Sequence, residues 1–273
     1  MYLASYSWKK ASELTAKHGE GIVALLPIGN LEEHGPIGPL GTDYIIPESM
    51  ASTIEARLPD KVLVLPTMPY GVSPSLKAFP GTVDIGEEAL TGVLKGIVDA
   101  VLSCGVRRVL FFNGHGGNWP ALSTAALYLY QRGGQAAQID WWVTCAEMKA
   151  EWKCGHGGGI EDSAAMAVRP DWVHPEDCFA SEVVHFSDAL RNVHIHNVLF
   201  EGATVKMIRN AKDSIPSGDA GYDDSPSRAS RETGQAIVDA VVDYTIRFIE
   251  EFSKIDTFST VPSRPLPLSS SVV

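Results

Sequence analysis

Short apolar runs alternate with helical spacing along the first half of the chain. Residues 22–28 (IVALLPI), 62–67 (VLVLPT), 106–112 (VRRVLFF) and 136–143 (AAQIDWWV) predict strands. Each is short and rich in aliphatic or aromatic side chains, and most are closed by Gly, Pro or Asn. Between them, residues 47–58, 87–104 and 120–132 carry helical spacing, with Pro120 suited to a first turn and Gly133-Gly134 suited to a stop. This alternation predicts an α/β three-layer sandwich, a mainly parallel sheet flanked by helices on both faces. Beyond residue 170 the pattern weakens. Residues 183–195 predict one or two further strands, 215–227 a Gly/Asp/Ser/Pro loop, and 230–252 a long amphipathic helix with Ile237, Val241, Tyr244, Ile246 and Phe248 as its apolar positions. Residues 1–256 read as one domain. Residues 257–273, with Pro262, Pro265, Pro267 and three consecutive serines, read as a poorly ordered tail.

Composition narrows the function classes. The chain has 273 residues, 45% hydrophobic and 20% charged, and a mean hydropathy of +0.01, the balance of a globular protein. Lys+Arg 22 against Asp+Glu 33 gives a net charge of −11, which repels phosphate backbones and argues against a nucleic-acid partner. The apolar runs fall well short of the about 20 residues a membrane span needs, so no membrane partner is expected. The N-terminal segment lacks the basic start and apolar run of a secretory signal. Cys104, Cys145, Cys154 and Cys178 are far apart and form no CxxC pair, as expected of reduced thiols in a cytoplasmic protein.

The chemistry gathers after two of the strands. In open α/β sheets, sites form beyond the carboxyl ends of the strands. Residues 22–28 run into GNLEEHGPIGPLGTD, which carries Glu32, Glu33, His34 and Asp43; residues 106–112 run into NGHGGN, which carries His115. A third cluster, HGGGIED, offers His156, Glu161 and Asp162. Imidazole and carboxylate together suit a divalent ion such as Zn²⁺ or Mn²⁺. Glu32 and His34 are two residues apart, so an extended backbone points both to one face. The glycines around His115 leave room for close approach, although NGHGGN also fits a phosphate cradle; it lacks the spacing and the lysine of the known phosphate loops.

The motifs resemble those of the creatininase family. Its first motif reads approximately PxGSxEQHGPHLPLGTD, against PIGNLEEHGPIGPLGTD from Pro27 to Asp43 here, and its NGHGGN is unchanged at Asn113–Asn118. PYGVSPSLKAFPGT (Pro69–Thr82) is similar to PYGxSxEHxxFPGT, HGGGIEDS (His156–Ser163) to HAGExETS, and GYDDSPSRASRETG (Gly221–Gly234) to GVxGDPSxATxEKG. The resemblance implies two divalent ions per subunit, Zn or Mn, and a homo-oligomer, often a hexamer. Glu32, His34, Asp43 and His115 match metal ligands, Asp43 as the bridging carboxylate. Creatininase proper draws a fifth ligand from a glutamate at the position of Gly117; members with NGHGGN use the glutamate that matches Glu161. His156 matches the histidine assigned to proton transfer, and Trp152 an indole that closes over the substrate.

The departures concern the substrate rather than the metals. Ser75 and Leu76 stand where the family motif has Glu and His, and Gly155 and Gly159 replace acidic residues. Creatinine itself is therefore not the expected substrate. The expected reaction is metal-assisted hydrolysis by a water held between the ions, with His156 and Glu161 in the catalytic set and a small-molecule C–N bond, such as a cyclic amide, as the target. Opening of a cyclic polyol-ketone at a C–C bond, and an inactive metal-binding scaffold, stay open as alternatives. His194 and His196 read as surface or interface residues.

Overall fold

The computed structural model describes residues 1–18, 21–179, 182–218 and 225–255. Four strands, β1 (Val23–Ile28), β2 (Val62–Val64), β3 (Arg108–Asn113) and β4 (Gln135–Asp140), form one sheet in the order β2-β1-β3-β4, every neighbouring pair parallel. Because successive side chains on a strand point to opposite faces, β1 divides its apolar residues between two cores. Val23 and Leu25 join Leu110 and Phe112 of β3 on one face; Ala24, Leu26 and Ile28 join Val109 and Phe111 on the other. The first face is covered by α2 (Thr42–Arg57), α5 (Trp141–Met148), α6 (Gly159–Val168) and α7 (Arg231–Phe252), and the second by α3 (Glu87–Ser103) and α4 (Trp119–Tyr130). The expected sandwich is present, with both faces buried as a parallel sheet requires. A short helix, α1 (Trp8–His18), precedes the sheet.

Several boundaries differ from those the sequence predicts. The strand read at 136–143 ends at Asp140, and Trp141 opens α5. Asp140 supplies no side-chain cap to that helix; its carboxylate instead accepts from Asn113 Nδ2 at 2.7 Å and from Trp119 Nε1 at 3.0 Å, pinning the end of β4 to its neighbours. The helix read from Pro47 begins at Thr42, so Asp43 stands in its first turn and Pro47 lies inside it. Proline has no N–H to return to the carbonyl four residues back, here Asp43 O. That carbonyl packs against the Cα positions of Gly29 and Gly114, just past the ends of β1 and β3, where neither residue has space for a Cβ.

A second, antiparallel sheet of β5 (Arg191–His194), β6 (Asn197–Phe200) and β7 (Ala203–Lys206) replaces the one or two strands expected in 183–195; only its first strand falls in that range. The alternation of these strands is weak because all of β7 and the ends of β5 and β6 are solvated. The sheet docks on the parallel domain through Leu76, Phe79, Ile195, Ala211 and Ile215. The long C-terminal helix forms, with the Ser230 hydroxyl accepting the Thr233 N–H at its start, but Tyr244, read among its apolar positions, is exposed. Part of the 215–227 loop and the whole 257–273 tail lie outside the described residues. No helix among the described residues is long and apolar enough to cross a membrane, and none of the four cysteines is in a disulfide.

Candidate metal centre

Glu32, His34, Asp43, His115, His156 and Glu161 converge beyond the carboxyl ends of β1 and β3. Glu32, Glu33 and His34 arrive on the loop after β1, Asp43 on the first turn of α2, and His115 on the loop after β3. His156 precedes α6 and Glu161 lies in its first turn. Two groups, Glu32/Asp43/His115 and Glu32/His34/His156, each place one ligand-type atom per residue within 4.8 Å of the others. His115 Nδ1 is 3.2 Å from Glu32 Oε1 and 3.2 Å from Asp43 Oδ2. His34 Nε2 is 3.0 Å from Asp43 Oδ1 and 3.8 Å from Glu161 Oε2. The His156 ring stacks at a tilt on His34, centroids 4.5 Å apart, with Nδ1 3.6 Å from Glu32 Oε1 and Nε2 3.6 Å from Glu33 Oε2.

Backbone carbonyls select which nitrogen each histidine turns inward. His34 Nδ1 is 3.0 Å from Glu32 O, and His115 Nε2 is 2.9 Å from Val72 O. A carbonyl only accepts, so these nitrogens carry protons, and His34 Nε2 and His115 Nδ1 are the atoms turned inward, where a bound cation would take the place of a proton. This is the support that orients metal-ligating imidazoles. The asparagines of NGHGGN hold the loop. Asn113 Nδ2 donates to His115 O at 2.8 Å and Asn113 Oδ1 accepts His115 N–H at 3.2 Å. Asn118 ties Gly29 O to Val72 N–H. Gly117 runs so close to Val72 O and His115 Nε2 that a side chain there would collide with both. In this arrangement the position cannot carry the glutamate that creatininase proper is expected to use.

The donor set fits divalent cations. His34 Nε2 and Asp43 Oδ2 are buried and, among the described residues, make no hydrogen bond despite their close approach to other groups. Lone pairs aimed at a shared third centre, rather than at each other, leave such orphans. Burial pulls the imidazoles of His34 and His115 toward the neutral form. The neighbouring carboxylates, Asp43 and Glu161 for His34 and Glu32 and Asp43 for His115, outweigh it and hold both well above the ordinary histidine range. Burial would raise the Glu32 carboxyl, but the imidazoles around it, His115 foremost, hold it well below the carboxylate range. Glu161 is raised by burial, and its Oε2 accepts the Gly157 N–H at 2.8 Å.

Two further side chains make contacts that local spacing did not foretell. Glu33 touches His156, and the only sequence sign of it was a second carboxylate beside Glu32. His196, read as a surface residue, is half-buried and bonded to Ser75. Trp152 lies in the apolar layer containing Trp141 and Cys145, with Lys149 Nζ 4.2 Å above its ring.

Comparisons with known proteins agree with this architecture. A mycofactocin precursor peptide peptidase of Mycolicibacterium smegmatis is 36% identical over 153 residues, 55% of this chain and 59% of that protein. The alignment thus covers about three-fifths of the length of that relative. A creatinine amidohydrolase of Pseudomonas putida is 26% identical over 265 residues, 89% of this chain and 93% of the other. A crystal structure of creatininase superposes with a TM-score of 0.72 at 23% identity, covering 93% of this chain and 98% of that one, and so shows the fold. Further creatininase structures with similar scores are described as Mn and Zn-Zn forms. The family model for creatininase (creatinine amidohydrolase) matches residues 4–249, and on that match the chain belongs to the creatininase family.

Proposed function

We propose that this chain is a divalent-metal-dependent hydrolase that cleaves a C–N bond of a small amide, with creatinine not its substrate. The observation that carries the reading is the arrangement of Asp43, whose two carboxylate oxygens each face a different inward-turned histidine nitrogen. In this reading Asp43 would be shared between two divalent ions, Zn²⁺ or Mn²⁺. His34 and Glu161 would help hold one ion, and Glu32 and His115 the other. When bound, divalent cations supply Lewis-acid polarisation of a carbonyl and acidify water toward neutrality.

The side chains of the protein divide the remaining work. His156 stands at the edge of the cluster with its Nε2 beside Glu33 Oε2, and it carries a proton to the leaving nitrogen. Glu33 places a carboxylate charge beside that ring, 3.6 Å from its Nε2. Glu161 doubles as ligand and as the acceptor that pins Gly157, and with it the glycine segment carrying His156. Trp152, buried four residues before His156, anchors the same segment from the apolar side.

The test is metal analysis of untagged protein, then assays of the metal-free form reloaded with Zn²⁺ or Mn²⁺ on lactams, formamides and cyclic ketones. Two ions per subunit and turnover of a lactam or formamide are expected. Absence of metal uptake, or a loaded protein inert on every amide, overturns the reading.

A further inference from the structure

His156 stands in a segment that restricts it little. Gly155 precedes it and Gly157 and Gly158 follow, and glycine constrains the backbone least of all residues. The direction of the imidazole therefore depends on what the ring meets. Its neighbours are the tilted His34 ring, Glu32 Oε1 at 3.6 Å from Nδ1, and Glu33 Oε2 at 3.6 Å from Nε2. Glu32 is among the proposed metal ligands and Glu33 is not, so the two nitrogens address different carboxylates.

The Glu33 side chain is fixed from its other end. Its N–H donates to the Thr82 hydroxyl at 3.0 Å, and its Oε1 accepts the Gly35 N–H. Oε2 is left over. It is buried and, among the described residues, makes no hydrogen bond; the same holds for His156 Nε2. Among those residues, the ion-pair contact of each atom is with the other. Two buried polar atoms without other partners are costly unless they meet, and bonds to an acid–base histidine are often long until substrate is in place.

The sequence carries a matching exchange. Related motifs read Glu-Gln-His where this chain reads Glu32-Glu33-His34, so a neutral amide has become a carboxylate. Gly155, directly before His156, stands where related motifs carry an acid. No packing demands a glycine there, since an added Cβ would meet nothing within 4 Å. An acid is thus missing beside the histidine in sequence, and another stands beside it in space.

We propose that Glu33 is the positioning carboxylate of His156, in place of the acid absent at Gly155. It keeps a proton on Nε2 and so presents Nδ1 to the metal side. There Nδ1 takes a proton from the attacking water and passes it to the leaving nitrogen as the C–N bond breaks. The assignment rests on the hydrolase reading above and adds the residue that orients its acid–base histidine.

Two readouts on the metal-loaded full chain test it. Nitrogen NMR of histidine-labelled protein reports which ring nitrogen holds the proton, the His156 signal being assigned by its loss in His156→Ala. At alkaline pH, where the ring carries one proton, the wild type is expected to hold it on Nε2. In Glu33→Gln the Gly35 N–H still claims the oxygen, so the amide N–H turns toward the ring and should move the proton to Nδ1. A proton on Nδ1 in the wild type, or the same tautomer in Glu33→Gln, overturns the assignment. Should Glu33→Gln not fold, the proton position in the wild type decides alone. On an amide that the wild type turns over, Glu33→Gln should lower kcat about 10–100-fold, with KM and metal content unchanged. It should cost nothing further in a His156→Ala background, because the two side chains act as one unit. An equal loss in that background overturns the assignment. If no amide is turned over, the hydrolase reading fails, while the NMR result still decides the pairing of Glu33 with His156.

Discussion

Asp43 Oδ1 lies 3.0 Å from His34 Nε2, while the other oxygen of the same carboxylate faces His115. One side chain thereby addresses two imidazoles brought in from separate loops. It can do so because α2 starts at Thr42 and its first turn sits directly above Gly29 and Gly114. The Asp43 assignment is thus a statement about helix placement as much as about a carboxylate.

Replacing Asp43 by Ala should take metal and activity together, because both proposed ions share it. Elemental analysis is expected to find less than one ion per subunit. Full occupancy would reject the bridging role. His34→Ala should behave in the same way.

His156→Ala separates the two functions. The ligand set proposed here leaves it out, so metal content should match the wild type while turnover drops about 10²–10⁴-fold, the usual range for a lost acid–base group. Loss of metal in this variant would move His156 into the ligand set, an arrangement that its position beside Glu32 and His34 also permits geometrically.

Gly114→Ala should destabilise the fold although it alters no functional group. Its Cβ would meet the Asp43 carbonyl, which is backbone and cannot rotate away. A cost of about 1–3 kcal/mol is expected from such overpacking, read as a lower midpoint in denaturant, with weakened metal affinity because Asp43 must shift. An unchanged midpoint would show that α2 is not held this close.

Metal-free protein should lose stability as pH rises. His34 and His115 are raised above 6.5 in the fold because neighbouring carboxylates outweigh burial. Groups raised on folding stabilise fully below their unfolded value and lose that contribution as pH climbs through the folded one. Melting temperatures of chelator-treated protein should therefore fall from about pH 6.5 into the alkaline range. Loading with Zn²⁺ should flatten the profile, since the ions replace the protons as partners of the carboxylates. A metal-free melting point that rises over this range would contradict the buried cluster.

The layering and the identity of most of the donors are legible in the order of the amino acids. Alternating runs such as 22–28 and 106–112 record burial on two faces, and Glu32, His34 and His115 follow them directly, where parallel sheets place their sites. The resemblance of these motifs to a known family gave roles to Glu161 and His156, which the sequence had already placed in a third cluster. Local pattern could not say that the strand of 136–143 would stop at Asp140, because that end is set by bonds to Asn113 and Trp119 from neighbouring segments. Nor could it choose the inward nitrogens of His34 and His115, which depend on two backbone carbonyls, one of them 43 residues away in sequence. The contact of His196 with Ser75 was equally hidden, since it joins two sheets through apolar docking. Periodicity reports which face of an element is buried; which donors meet there depends on how separate elements pack against one another in space.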